Sequence, residues 1–314
     1  MTTDQLQRRE LAYSRPALRR GVKKKHLESY LFLAPWFGGL VLLTAGPLIA
    51  SLYLSFTRYD MLQAPVWVGI GNYVRLFTSD PRYLHAVGVT FTYVFLGVPL
   101  NLAFALLVAL LLKQKVRALG LFRGIYYLPS LLGASVAVAV VWRQLFNRGG
   151  VINEGLALFG INAPNWIGTP RYAVYTLILL HVWQFGSAMI IFLAGLQQVP
   201  PELYEAAEVD GATEIQKFWN VTVPMLTPVI FFNLVLGIIH SFQAFTSAYI
   251  VSGGLGGPAD STMFYTLYLY QEGFKSFHMG YASAMGWILL LIIATFTGIN
   301  FFVSNRWVYY GDGR

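Results

Sequence analysis

Apolar residues in this chain fall in long unbroken runs instead of alternating with polar ones or forming a single helical stripe. Six runs stand out, at about 30–57, 87–112, 124–146, 172–196, 223–250 and 281–304. A helix rising about 1.5 Å per residue needs about 20 apolar residues to cross about 30 Å of hydrocarbon, and each run is long enough. Solid runs predict helices, because the strands of a membrane barrel alternate between apolar and polar positions. The pattern therefore predicts an all-α polytopic membrane protein with six spans and both termini on one side. The organisation read from it is a basic segment at 1–29, a six-helix membrane domain at 30–304 and a short tail at 305–314. Connections at about 58–86, 147–171 and 251–280 carry turn signals, among them Asp80-Pro81, Ala163-Pro164-Asn165 and the glycine-rich Gly253–Pro258. They are read as caps or loops, not as separate domains.

Composition supports a membrane setting. Of 314 residues, 56% are hydrophobic and only 11% charged, against about 25% charged in a soluble domain. The formal charge of +8 sits beside the apolar runs with no groove-reading motif, which argues against a nucleic-acid partner. The absence of cysteine excludes disulfides, thiol catalysis and cysteine-ligated metals. The basic N-terminal stretch, followed by an apolar run without a small-residue cleavage site, reads as a retained signal anchor. With the N-terminus inside, 15 basic residues fall on the inner side and 7 on the outer. Excess Lys and Arg mark the cytoplasmic side, so the expected topology is N-in, C-in. Every Asp and Glu lies outside the runs, and Arg143 is close enough to a span end to snorkel. That leaves no intramembrane carboxylates for a proton relay.

The inner connection at 199–222 carries more local information than any other. Pro201 suits a first helical position, and Glu202 and Glu205 suit the positive end of a helix. Gly211 fits a left-handed helix stop. Thr213 followed three residues later by Gln216 makes a capping box for a second short helix. The expected shape is helix, sharp glycine turn, helix. Leu203, Ala206 and Ala207 share one face of the first arm, and Ile215, Phe218 and Trp219 one face of the second. Pattern alone fits a rigid elbow docking into a soluble partner and an amphipathic loop lying on headgroups equally well.

Glu205-Ala206-Ala207, Gly211 four residues on, and Val221-Thr222-Val223-Pro224 at a fixed interval resemble the EAA signature of ABC-importer permeases. Val68-Gly69-Ile70-Gly71-Asn72-Tyr73, with Phe77 and Asp80-Pro81 downstream, is similar to the first outer loop of carbohydrate-uptake permeases of the maltose F type. Gly253–Pro258 looks like the glycine-rich turn of that subgroup, although Leu255 interrupts it. The resemblance implies the type I importer permease fold in a bacterial or archaeal plasma membrane. It also implies a coupling helix carried by Glu205, Ala206, Ala207, Asp210, Gly211, Phe218, Trp219 and Pro224. The implied partners are a second permease, two ATPase subunits that hold ATP and magnesium, and an extracytoplasmic binding protein.

None of the seven lysines follows a glycine, so the chain carries no phosphate-binding P-loop and is not itself expected to be an enzyme. The five histidines show no metal-ligand pairing. Polar residues inside spans are costly and therefore informative. Asn233, His240, Gln243 and Ser247 in the fifth run, with Phe242 and Tyr249 beside them, and Gln184 and Ser187 in the fourth, form the expected substrate path. Amides and hydroxyls beside aromatic rings suit a saccharide, and the lack of a basic residue deep in a span favours a neutral one. The same groups also serve as interhelical hydrogen bonds in many bundles. A secondary carrier or facilitator for a small polar solute is the alternative function, disfavoured by the missing intramembrane acids and by the elbow.

Overall fold

The structure is a computed structural model that describes residues 32–113, 119–133 and 135–309. Eleven of the 15 inner basic residues behind the expected topology, the eight from Arg8 to Lys25 with Lys115, Arg117 and Arg314, lie outside these. Among the described residues, four helices are long and apolar enough to cross a membrane, or six if each of two bent pairs is one span. The chain divides into two compact units, Met1–Tyr53 and Leu54–Arg314.

The first helix, α1, runs Phe32–Ser55 with a π-helical turn over Leu40–Ala45. Within the first unit its apolar side chains, such as Phe32, Leu42 and Leu43, are exposed.

The second unit opens with a two-residue ribbon, β1 (Thr57–Arg58) against β2 (Val66–Trp67), antiparallel with Thr57 opposite Trp67. Helix α2 (Gly71–Thr78) follows, and its Asn72 side chain donates to the carbonyls of Ser55 and Thr57. The long α3 (Pro81–Lys113) forms the spine of the unit. After it come α4 (Leu119–Leu132), α5 (Val136–Phe146), α6 (Val151–Ala157), α7 (Pro170–Trp183) and α8 (Gly186–Gln198). Helix α9 (Pro201–Val209) leads to α10 (Glu214–Phe242), and α11 (Thr246–Val251), α12 (Tyr265–Tyr270) and α13 (Met279–Ser304) complete the chain. One core gathers α3, α7, α10, α12 and α13 around Tyr93, Val98, Phe242, Phe264 and Tyr265. A second lies between the later half of α3, α8 and the middle of α10, around Ala109, Met189, Phe192 and Leu226. Close approach depends on small residues, as is usual between membrane helices. A Cβ on Gly237 of α10 would lie 2.9 Å from Val98 Cγ1 on α3.

Three of the expected continuous spans are broken. The third, expected at 124–146, bends by 95° between Gly120–Leu132 and Val136–Ala157. Ser135 starts the new helix by accepting from Val138 N. The fourth, expected at 172–196, bends by 42° between Trp183 and Gly186. Carbonyls around this break are satisfied by distant side chains: Asn101 Nδ2 donates to His181 O, and Ser130 Oγ to Gln184 O. Side-chain partners of this kind are one way a membrane protein satisfies the carbonyls freed at a helix break. The fifth, expected at 223–250, ends at Phe242 and resumes at Thr246. At its other end it reaches back to Glu214, so the second arm of the elbow is one helix with the span and not the separate short helix expected.

A buried carboxylate joins the opposite end of the unit. Asp80, 7% exposed, caps α3 by accepting from Tyr83 N at 2.9 Å, and its other oxygen accepts from the hydroxyls of Tyr268 (2.7 Å) and Tyr281. Burial alone would push this carboxyl up. The hydrogen bonds from Tyr281, Tyr268 and Tyr83, with the positive charge of Arg75, outweigh that and hold it below the usual carboxylate range. Nearby, Arg82 forms a two-pronged ion pair with Asp260, at 2.8 and 2.9 Å.

Candidate functional site: a polar cavity and an exposed elbow

The helix breaks meet at a cavity of about 460 Å³. Helices α3, α4, α5, α7, α8, α10 and α11 wall it, and six of the eight expected path residues line it: Gln184, Ser187, Asn233, His240, Gln243 and Ser247. Gln184 is held by donating Nε2 to Gly133 O at 2.9 Å, and the Ser187 amide donates to Ser130 Oγ. His240, Gln243 and Ser187 are exposed to the cavity. Among the described residues no Asp, Glu, Lys or Arg lines it, so the surface they offer is amide, hydroxyl, imidazole and apolar.

Two expected path residues do not line the cavity. Phe242 lies two residues beyond His240, about 200° further round the helix. It is buried in the main core against Phe91 and Phe296. Tyr249, expected beside the polar residues of the fifth run, follows the break after Phe242 and sits on α11. It packs against Phe245 and Tyr270.

The cavity also contains groups that the sequence reading passed over, namely Tyr93, Asn101, Ser130, Ser135, Ser241 and Thr246. Ser241 Oγ is buried and has no hydrogen-bond partner among the described residues. Asn101 has a legible signal in the sequence, a lone amide in the second apolar run.

The elbow at the other end of α10 has the local chemistry its residues predict. Pro201 opens α9, and Gly211 has φ +76°. Gly211 N donates to Glu208 O and Ala212 N to Ala207 O, the paired bonds that close a helix on a left-handed residue. Thr213 and Gln216 form the reciprocal capping box. Lys217 spans the corner, 2.8 Å from a Glu214 oxygen and 3.6 Å from one of Glu208 on the other arm. Glu205, Ala206, Asp210 and Gly211 are exposed, as are the apolar Val209, Ile215 and Trp219, while Ala207, Phe218 and Pro224 are half-buried. Phe218 packs edge-on against Trp219. Tyr204, to which the sequence reading gave no role, ties the elbow to the body. Its hydroxyl meets Thr222 Oγ1 at 2.9 Å and accepts from Lys113 Nζ at 3.1 Å, and that ammonium lies 4.2 Å from its ring centre.

Membrane-length helices around a polar cavity, with a capped elbow at the end of one of them, define a permease-class membrane protein. Residues 68–309 match the family described as binding-protein-dependent transport system inner membrane component. Among curated relatives, a probable ABC transporter permease protein, YesP of Bacillus subtilis, is 49% identical over 93% of this chain and 94% of its own length. The lactose transport system permease protein LacF of Rhizobium radiobacter is 32% identical over 89% and 95%. Among solved structures, a chain of a bacterial ABC transporter that imports the acidic polysaccharide alginate shares the fold. Its TM-score is 0.77 at 23% identity, over 90% of this chain and 96% of that one. The chain belongs to the binding-protein-dependent transport system inner membrane component family and is the permease component of an ATP-binding-cassette transporter.

Proposed function

We propose that this permease conducts a sugar or oligosaccharide inward through the cavity. In this reading it spans the membrane six times, N-in and C-in, and pairs with a second permease. Two ATPase subunits, which hold ATP and magnesium, receive the elbow as a coupling helix, and an extracytoplasmic binding protein delivers the substrate. The observation that carries the reading is the continuity of α10. One helix of 29 residues, about 43 Å long, has the exposed elbow corner at its start and the cavity residues Asn233, Gly237 and His240 towards its end. Movement of the elbow by closing ATPases would therefore reach the cavity wall directly, which is the mechanical need of alternating access.

The cavity chemistry supports a saccharide. Sugar hydroxyls both donate and accept, which matches Gln184, Ser187, Asn233, Ser241 and Gln243. The side chains of Tyr93 and Phe245 offer apolar ring surface for C–H faces. The lactose permease among its relatives agrees with a saccharide substrate.

The test is co-purification from the native host, wild type against Gly211→Pro. Proline fixes φ near −65°, incompatible with the observed +76°. The variant is expected to lose the ATPase subunits or their substrate-stimulated hydrolysis. Identical partners and identical stimulation in both proteins would overturn the coupling role.

A further inference from the structure

Outside the cavity, four aromatic rings run in continuous contact from its wall to the protein surface. Phe245 lines the cavity and packs on Tyr249 (centroids 5.3 Å apart) and Tyr270 (5.3 Å), and Tyr270 stacks on Phe274 at 5.5 Å and 25°. Phe274 is 57% exposed, and the other three rings are half-buried. Lys275 fixes the wall from outside, donating to Gly254 O at 3.0 Å with its ammonium 5.8 Å from the centre of the Tyr249 ring. The hydroxyls set these rings apart from their neighbours. Tyr83, Tyr265, Tyr268 and Tyr281 all use theirs in hydrogen bonds, as aromatic residues with a polar handle normally do when buried. The hydroxyls of Tyr249 and Tyr270 have no hydrogen-bond partner among the described residues.

We propose that Phe245, Tyr249, Tyr270 and Phe274 form an outer binding subsite on which the sugar rings of a linear saccharide lie before the leading ring enters the cavity. The inference rests on the saccharide reading above. Flat apolar faces match the C–H faces of sugar rings, and the two free phenols match their hydroxyls. The wall is continuous with the cavity through Phe245, so a chain of sugars can occupy both at once. A single sugar occupies one or the other and gains nothing from the second.

The experiment uses the complete transporter in nanodiscs without ATP or binding protein, titrated with maltotriose, cellotriose and arabinotriose and with glucose and arabinose. At least one trisaccharide is expected to bind about tenfold or more tighter than its own monosaccharide. Tyr270→Ala with Phe274→Ala should erase that gain and leave monosaccharide affinity unchanged. Tyr249→Phe with Tyr270→Phe should remove part of it, which a purely packing role would not do. Equal losses for long and short sugars, no length gain in wild type, or loss of the co-purifying second permease from the alanine variant would each overturn the subsite. If no sugar binds wild type, the saccharide reading itself fails. If sugars bind and length dependence is insensitive to both variants, only the subsite fails.

Discussion

Replacing Asp80 with alanine tests the joint that holds α3, α12 and α13 together. Three donors converge on this carboxylate: Tyr83 N, Tyr268 Oη and Tyr281 Oη. Tyr268 and Tyr281 are themselves 4% and 3% exposed, so alanine strands two buried hydroxyls. A hydrogen bond to a charged group contributes about 1.5–3 kcal/mol, and each stranded buried polar group costs about 1–3 kcal/mol. These overlap instead of adding, and breaking one side of a buried charged cluster costs about 3–5 kcal/mol. The thermal midpoint in nanodiscs should fall by about 10 °C. Tyr281→Phe should cost less alone and little on top of Asp80→Ala, because the pair shares one interaction. Hydrogen exchange should rise across residues 265–281. The lowered carboxyl pKa means this stability is fully present above about pH 4 and is lost as pH falls through the lowered folded value. Wild type should therefore melt alike at pH 5 and pH 7 with respect to this group. A midpoint for Asp80→Ala within about 2 °C of wild type would refute the reasoning.

Other perturbations address the moving parts. Tyr204→Phe keeps the ring under Lys113 but removes both hydroxyl contacts, a loss of about 1–2 kcal/mol at the elbow's attachment. Sugar uptake should fall several-fold while ATP hydrolysis persists; a proportional fall in both would argue against a coupling defect. Gly237→Val adds bulk 2.9 Å from Val98 and should cost about 1–3 kcal/mol, read as a lowered thermal midpoint, with partial rescue by Val98→Ala. Asn101→Leu leaves His181 O with only the bond from Gln184 N at the α7–α8 break and should destabilise by about 0.5–1.5 kcal/mol in the same melting assay.

The elbow was legible because its determinants are local. Pro201, Gly211 and the Thr213–Gln216 box lie within a few residues of the conformations they set, and the structure has all three. The helix breaks were not legible, because the groups that make them tolerable are distant in sequence. Asn101 serves a carbonyl 80 residues away, and Ser130 one 54 residues away. Apolar runs through these breaks look the same as through a straight span. Asp80 read only as part of a turn for the same reason, since its tyrosine donors lie 188 and 201 residues further on. The cavity residues fall between these cases. Polar positions inside apolar runs identified most of them. Tyr249, expected beside them in one continuous run, instead follows a break at Gln243 that the apolar pattern does not show.

Helix α10 contains a π-helical turn over Phe218–Thr222. Such a turn is how a helix takes in one extra residue without losing its axis. Its effect is on register: a π turn closes with one more residue than an α turn, so the helix on either side keeps its phase while the count of residues between Trp219 and His240 rises by one. Deleting Asn220 would restore regular winding and leave the elbow near its present heading, whereas deleting a residue from a regular turn of α10 would swing it by about 100°. The helix that joins elbow to cavity thus has one place, at its elbow end, where a residue can be lost without re-aiming either end.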